Sequence, residues 1–349
     1  METNALEFVE VESFGPFRDA SARFSPGLNV LVGDNSTGKT QFLKLLYSSA
    51  KVLRENNALT KKQLNMQLAS KLKGTLRPSQ LGGLVRRAPG AQRSVITIGF
   101  EGIGNPLKFD FSSRVKAEVN VTSLPDQQLR DEPVFLPSHE LLSLSSSYLS
   151  LYEMYETGFE ETTRDSLLLL QRPPLRGAYV EEAEDLVASF DELLLGGTVV
   201  EKDGRFFLQQ QGIGDVEASL LAEGHRKLAM IQRLLFNGVL LGGGYLFWDE
   251  PETNLNPRAQ KVIAHVLLKL VEQGTQVFVA THSMFLLREL QMSQEPGAVR
   301  YLGLSRDSKE DVPAALSEVN IECVDDLDDV THFAALSAES EQSQRYLSW

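Results

Sequence analysis

Residues 28–40, Leu-Asn-Val-Leu-Val-Gly-Asp-Asn-Ser-Thr-Gly-Lys-Thr, constrain the fold of this chain more than any other stretch. Leu28 to Val32 is a short apolar run, the pattern of a buried strand. Gly33 opens the pattern G-x-x-x-x-G-K-T, closed by Gly38, Lys39 and Thr40, and the helical apolar spacing Phe42, Leu43, Leu45, Leu46 comes at once after it. Strand, glycine loop and helix in that order is the setting of a phosphate-binding loop. Glycines let backbone N–H groups turn inward around phosphate oxygens, and the start of a helix adds partial positive charge. On this reading Gly33, Asn35, Ser36 and Gly38 wrap the phosphates, Lys39 reaches the β- and γ-phosphates, and Thr40 holds Mg2+.

A second apolar strand, Gly244–Trp248, runs directly into Asp249 and Glu250. This is the Walker B arrangement, in which the strand fixes two carboxylates beside the phosphate loop. Asp249 then orients the waters of Mg2+, and Glu250 accepts a proton from an attacking water. A third buried strand, Gln276–Ala280, ends at Thr281-His282-Ser283, where His282 is placed to sense a γ-phosphate. Between the two Walker segments, Leu221-Ala222-Glu223-Gly224-His225-Arg226-Lys227-Leu228 lies near the start of an apolar helix expected over Val216–Phe236. Small residues before a helix again present N–H groups to an anion, although by itself this is an ordinary amphipathic pattern.

The remaining chain reads as short strands and helices. Leu6–Val11 and Ala22–Phe24 are strands around Gly15-Pro16, and Arg18 between them is a candidate for stacking on a nucleotide base. Residues 41–57 are helical. Ser94–Phe100, Leu107–Phe111, Ala117–Val121 and Pro133–Leu136 alternate like strands. Residues 140–195 are mostly helical, broken at Pro173-Pro174 and Gly177. Asp203-Gly204 between two β-type runs marks a hairpin over 198–209. Pro257–Gln273 and Met284–Met292 are helices, and Arg300–Leu304 is a last strand. From Ser305 the chain is polar and acidic, with a short helix at its end. Asp325-Asp326-Leu327-Asp328-Asp329 reads as a solvated loop.

The chain of 349 residues can bury a large core, as one large domain or as a domain with an inserted lobe. No apolar run reaches the roughly 18 residues needed to span a bilayer, and the N-terminus lacks the features of a signal peptide. A single cysteine, Cys323, excludes an internal disulfide and a cysteine-based zinc cage. These features predict a cytoplasmic protein with no membrane association. The formal charge of −13 argues against indiscriminate nucleic-acid binding by the whole surface. Its distribution is uneven, because from Lys51 to Arg93 ten basic residues face one acidic residue, Glu55. Two readings stay open for this block: an arm that binds nucleic acid or an acidic partner, or an arm docked on the protein's own acidic body.

In order and context these motifs resemble the heads of ABC-type ATPases, and more narrowly the SMC-like branch that contains RecF and the OLD-family ATPases, grouped with the AAA-family ATPases. Phe14-Gly15-Pro16-Phe17, Pro26-Gly27-Leu28-Asn29 and Asp249-Glu250-Pro251-Glu252-Thr253-Asn254-Leu255-Asn256-Pro257 are similar to that branch. The resemblance covers residues 1–50 and 215–304. It implies an α/β fold: an ABC-type P-loop head with a mixed β-sheet core and an N-terminal antiparallel β-subdomain, carrying an inserted α/β arm. The expected division is a head of residues 1–50 and 198–305, an inserted basic arm and lobe over 51–197, and an acidic tail over 306–349.

The resemblance also implies ATP and Mg2+ as ligands and hydrolysis only when two copies pair, as a homodimer or higher homo-oligomer. Gly224 of one copy then closes on the γ-phosphate held by the other, and residues 253–256 form the D-loop across the interface. Ala222-Glu223-Gly224-His225 departs from the Ser-Gly-Gly-Gln of transporters, and Asn256 stands where relatives often carry His. No glutamine loop is identifiable; Ser138-His139-Glu140 is one candidate for its place and Gln41 a weaker one. The family resemblance implies an ATP-driven switch of the OLD type that controls a separate effector, a nuclease or a toxin, in anti-phage defence or a toxin–antitoxin pair. Only some forty-five residues come after Leu304, too few for the TOPRIM domain of the OLD nucleases. The alternative is a RecF-like DNA-repair ATPase using the Lys51–Arg93 arm. A transporter's nucleotide-binding subunit is disfavoured by the signature and the early antiparallel strands.

Overall fold

The computed structural model describes residues 4–55, 60–154, 159–175, 179–293, 298–306, 317–331 and 333–349. The chain begins with a hairpin, β1 (Leu6–Phe14) and β2 (Phe17–Arg23), turned at Gly15-Pro16. In β1 the buried Leu6, Val9, Val11 and Phe14 are interspersed with the exposed Glu7, Glu10 and Glu12, the mark of a strand with one wet face. β3 (Leu28–Gly33) is buried along its whole length and leads through the loop into α1 (Lys39–Glu55). Then come α2 (Lys61–Leu76), β4 (Arg93–Phe100), β5 (Leu107–Ser112), β6 (Asn120–Ser123) and β7 (Pro133–Leu136). Three helices, α3 (Ser145–Met154), α4 (Glu161–Leu170) and α5 (Tyr179–Ala188), precede the small sheet of β8 (Thr198–Lys202), β9 (Arg205–Gln210) and β10 (Gly214–Glu217). The last part runs α6 (Glu223–Phe236), β11 (Gly244–Asp249), α7 (Pro257–Glu272), β12 (Thr275–Ala280), α8 (Met284–Ser293), β13 (Val299–Arg306), β14 (Val319–Val324) and α9 (Ala334–Leu347).

Two large sheets organise these elements. The central one has the order β14-β13-β3-β12-β11-β7, parallel except for β14 at one edge. The other is antiparallel, β2-β1-β4-β5-β6. Both faces of the central sheet are covered, which is why β3, β7, β11 and β12 are mostly apolar and buried almost throughout, the polar Asn29 and Gln276 included. On one face Leu28, Val30, Val32, Leu246, Trp248, Val277 and Val279 join a core with α6, α7 and α8. On the other, Leu31, Phe247, Phe278 and Ala280 pack with α1 and the antiparallel sheet. Gln276 stitches the two sheets together: it donates to the Leu6 and Ser25 carbonyls and accepts from the Leu6 N–H, at 2.7–2.9 Å. The expected α/β head with an N-terminal antiparallel β-subdomain is the fold observed.

The structure redraws several sequence expectations. Residues 51–197 are not a separate insertion in hydrogen-bonding terms. The boundary at 50 falls inside α1, β4–β6 complete the antiparallel sheet begun by β1 and β2, and β7 pairs with β11 in the central sheet. The helix expected from Val216 starts at Glu223 instead. Val216 is in β10 opposite Leu208, and Leu221 and Ala222 are extended, so apolar spacing alone places the start several residues too early. The tail supplies β14, paired with β13 over six residues, in addition to a helix. Residues 56 and 57 of the first helix, Gly177 at the helical break and residues 307–316 of the tail lie outside the described residues.

Two lysines of the basic block, Lys51 and Lys71, are buried among carboxylates. Lys51 lies 2.9 Å from Glu132, and Lys71 lies 2.5 Å from Asp165 and 2.8 Å from Glu161. Arg93 pairs with Asp110. An ammonium taken out of water needs such partners, and removing one would leave the other uncompensated. At these three positions the block docks on the protein's own acidic residues. Arg86 and Arg87 instead line a cleft that also contains the phosphate loop.

Candidate functional site

Parallel pairing brings the three chemical motifs to one edge. Asp249 is level with Ala280, and Ala280 with Leu31, so the loops leaving β3, β11 and β12 emerge side by side at the carboxyl ends of the strands. Open α/β sheets bind ligands at that edge. A cleft of about 590 Å3 opens there, and Asn35, Ser36, Gly38, Lys39, Thr40 and Glu250 are among its walls. That volume lies in the range of small-molecule sites.

The loop needs its glycines for two reasons. Gly33 has φ +151°, and a Cβ there would sit 2.4 Å from the Leu304 carbonyl oxygen of the neighbouring strand; at Gly38, with φ +96°, it would meet the Pro16 ring at 2.6 Å. The Lys39 ammonium donates to the carbonyls of Gly33 at 2.6 Å and Asp34 at 3.0 Å. Burial holds its pKa below the usual lysine value, against the pull of Glu250 and Asp249. The Thr40 hydroxyl donates to Asp249, 2.9 Å from Oδ2 and 3.1 Å from Oδ1. Burial raises the Asp249 pKa to about 6, with the Thr40 hydrogen bond opposing and the Glu250 charge adding to the rise.

Glu250 has an unusual backbone, φ +46°. Its N–H donates to the Ala280 carbonyl at 2.8 Å, and its side chain accepts from the Thr253 hydroxyl at 3.3 Å. His282 Nδ1 faces two carboxylates, 3.4 Å from Glu250 and 3.5 Å from Glu252. Lys39, Thr40, Asp249, Glu250 and His282, drawn from three distant parts of the chain, thus share one edge.

Other candidates fall elsewhere. Arg18 is outside the cleft walls and pairs with Glu318 at 2.7 Å. Gly224, at the start of α6, is also outside the cleft. It packs on the turn after Glu250, where a Cβ would lie 2.6 Å from the Asn254 carbonyl oxygen. Gln41 lines the cleft, and Ser138-His139-Glu140 leaves the end of β7, one strand from Asp249. Asn256 caps α7 by accepting from the Ala259 N–H at 2.9 Å, with Pro257 at the first helical position, so it meets a local backbone need. In the acidic run after β14, Asp326 accepts from the Asp328 N–H, and Asp328 pairs with Arg288. Among the described residues no helix is long and apolar enough to cross a membrane.

A family model described as "AAA domain, putative AbiEii toxin, Type IV TA system" matches residues 28–288. The chain belongs to that family. Among curated proteins, this AAA-domain chain is 37% identical over 73 residues to the DNA replication and repair protein RecF of Streptococcus uberis (strain ATCC BAA-854 / 0140J), across 19% of this chain and 20% of that one. The RecF protein of Streptococcus equi subsp. zooepidemicus (strain MGCS10565) is 48% identical over 42 residues, 12% and 11% of the two chains. The matched segments thus span a fifth or less of these relatives' length. Among solved structures, the SMC head bound to the C-winged helix domain of ScpA superposes with a TM-score of 0.55 at 13% identity, over 92% of this chain and 98% of that one. The SMC head with an extended coiled coil bound to the C-terminal domain of ScpA from Pyrococcus furiosus gives 0.52 at 12% identity, over 99% and 98%. The fold of this AAA-domain protein is therefore that of an ABC-type SMC head, and the resemblance carried by its motifs holds.

Three residues of the site have no clear mark in the sequence. Glu252 is buried and accepts from the Thr281 hydroxyl at 2.8 Å and the His282 N–H at 3.1 Å, which fixes the backbone entering His282. Its one signal is its place as a second acid two positions after Glu250. Arg306, at the end of β13, donates to the Ser36 carbonyl in the phosphate loop at 2.6 Å. Lys227, on α6, is almost wholly buried and reaches the Glu250 carbonyl. Nothing local marks either cation, because each acts through contacts far away in the sequence.

Proposed function

We propose that this protein binds ATP with Mg2+ and hydrolyses it, and that two copies pair around the nucleotides to control a separate effector. The observation that carries this reading is the Thr40 hydroxyl 2.9 Å from Asp249, beside the Lys39 ammonium and Glu250. An oxygen-only pair with one carboxylate fits Mg2+, which keeps several waters and takes its remaining ligands from phosphates. Bound there, Mg2+ neutralises charge on the β- and γ-phosphates. Lys39 exchanges its carbonyl partners for those phosphates, while the N–H groups of the loop around Asn35, Ser36 and Gly38 wrap them. Glu250 takes the proton of the attacking water. His282 presents its Nε2 to the γ-phosphate, since Nδ1 faces Glu250 and Glu252.

Gly224 and residues 253–256 form one surface next to that edge, which supports their use against the nucleotide of a second copy. The family's description names a toxin–antitoxin system, and the solved SMC heads are bound to ScpA. Both support a partner of different sequence for this head. A toxin or nuclease effector, in a toxin–antitoxin or anti-phage setting, is the reading we favour. The test is phosphate release from ATP. Release is expected with Mg2+ and is expected to vanish with EDTA; release indifferent to EDTA, or none in either condition, would reject the site.

The RecF likeness favours a second reading, a DNA-binding repair ATPase. Lys51, Lys71 and Arg93 already have carboxylate partners, which lowers the charge the block can offer to phosphates. Fluorescence anisotropy with duplex DNA at physiological salt is expected to give no binding tighter than the ~10⁻⁴–10⁻⁶ M of non-specific contacts. A nanomolar, steeply salt-dependent complex that is lost on reversing Arg86, Arg87 and Arg93 to Glu would favour the repair reading instead.

A further inference from the structure

We infer that Lys227 is a positioning residue that locks Glu250 to the start of α6, so that one buried ammonium couples the helix cap to the hydrolytic carboxylate. This rests on the ATPase reading above.

The Lys227 side chain leaves the second turn of α6, and its ammonium donates to three backbone carbonyls: Ser138 at 2.7 Å, Glu250 at 2.9 Å and Thr253 at 3.2 Å. Those carbonyls belong to two loops, the exit of β7 and the turn after β11. An ammonium has three donors and no acceptor, so this set satisfies it in full. Burial is the main influence on the group and pulls its pKa down to about 8, while Glu252, ahead of Glu250, Glu223 and Asp249, favours its charge. A fully buried lysine in such surroundings is costly unless its hydrogen bonds are complete.

Glu250 explains what the arrangement does. Its φ of +46° is a left-handed conformation that side chains rarely adopt, and such backbone persists only where its surroundings hold it. Both of its peptide groups are held. The N–H donates to Ala280, and the carbonyl accepts from Lys227. The first clamp comes from the strand that leads to His282, the second from the helix that begins beside Gly224. Gly224 itself lies against the Asn254 carbonyl, where even a methyl group would clash. Helix and turn therefore meet at both Gly224 and Lys227, one helical turn apart on α6, and neither can shift without the other. Docking of the α6 cap against a second copy would then be felt at the Glu250 carbonyl.

Lys227→Met keeps the stem and removes the ammonium. Relative to wild type, the variant is expected to lose about a hundredfold in kcat, the scale of a catalytic group displaced by roughly 1 Å. Affinity for a fluorescent ATP analogue should stay within about twofold, since the phosphate contacts of Lys39 and Thr40 do not pass through Lys227 and general damage alone would lower both quantities. Without nucleotide, hydrogen exchange of the amides at 250–256 should quicken about tenfold, as a locally opened segment does. A kcat within twofold of wild type, a proportional loss of affinity and turnover, or unchanged exchange would each overturn the assignment. Lys227→Gln, whose shorter side chain and two donors cannot span the three carbonyls, gives the same readings if the Met variant fails to fold. A wild-type protein that releases no phosphate would instead defeat the ATPase reading, and the exchange comparison would still decide the role of Lys227.

Discussion

Glu250→Gln is expected to slow ATP turnover by about 10²–10⁴-fold, the usual contribution of a positioned general base, and to convert the protein into a stable dimer when ATP and Mg2+ are present. Glutamine keeps the size of the side chain and the acceptor oxygen that meets the Thr253 hydroxyl at 3.3 Å. The backbone clamps at Ala280 and Lys227 are untouched, because they use the main chain of residue 250. The change is thus confined to the charge and basicity of one side chain: the amide cannot take a proton from water. With hydrolysis blocked and binding intact, the paired state accumulates, and light scattering after size exclusion should report a doubled mass only with nucleotide. A monomer with and without ATP that still hydrolyses at the wild-type rate would reject the paired-head mechanism.

Lys39→Ala should have the other large effect, a loss of at least about a hundredfold in ATP affinity. Glu250 lines the cleft, and Lys39 is the phosphate-loop cation on which the nearby carboxylates act: the charges of Glu250 and Asp249 are the chief influences favouring its protonated form. Without it, a triphosphate in the loop would lose the ammonium nearest to these carboxylates, and the arginines that also line the cleft, Arg86, Arg87 and Arg306, come from other segments. A charge-assisted hydrogen bond in such a site is worth about twice a neutral one, and the lost Coulomb attraction is little screened where water is excluded. Titration with a fluorescent ATP analogue is the measurement. Affinity within threefold of wild type would mean that the triphosphate binds elsewhere. A circular dichroism melt on the same sample separates a lost phosphate contact from a lost fold, since Lys39 also donates to the Gly33 and Asp34 carbonyls.

Much of the central sheet is legible in the sequence. β3, β11 and β12 are mostly apolar because both sheet faces are covered, and each ends at a recognisable loop. The start of α6 is not legible, because Val216 and Leu220 continue an apolar spacing that the backbone does not follow. β14 is hidden because Val319–Val324 has a weak burial pattern and owes its strand form to pairing with β13. The placement of residues 51–197 is obscured for a similar reason. A long interval between two motifs resembles an insertion, yet β4 belongs beside β1, about eighty residues earlier.

The sequence by itself determined the phosphate loop, the strand that delivers Asp249 and Glu250, and the chain order of these motifs. Those features depend on residues within about ten positions, where glycine conformation and strand alternation act locally. Only the tertiary structure decided which charges face the cleft and which are spent inside. Lys71 finds Asp165 ninety-four positions away, and Lys227 finds Ser138 eighty-nine positions away. The reason is physical: a buried ammonium takes its meaning from the oxygens that surround it, and burial is created by packing, which no short stretch of chain contains.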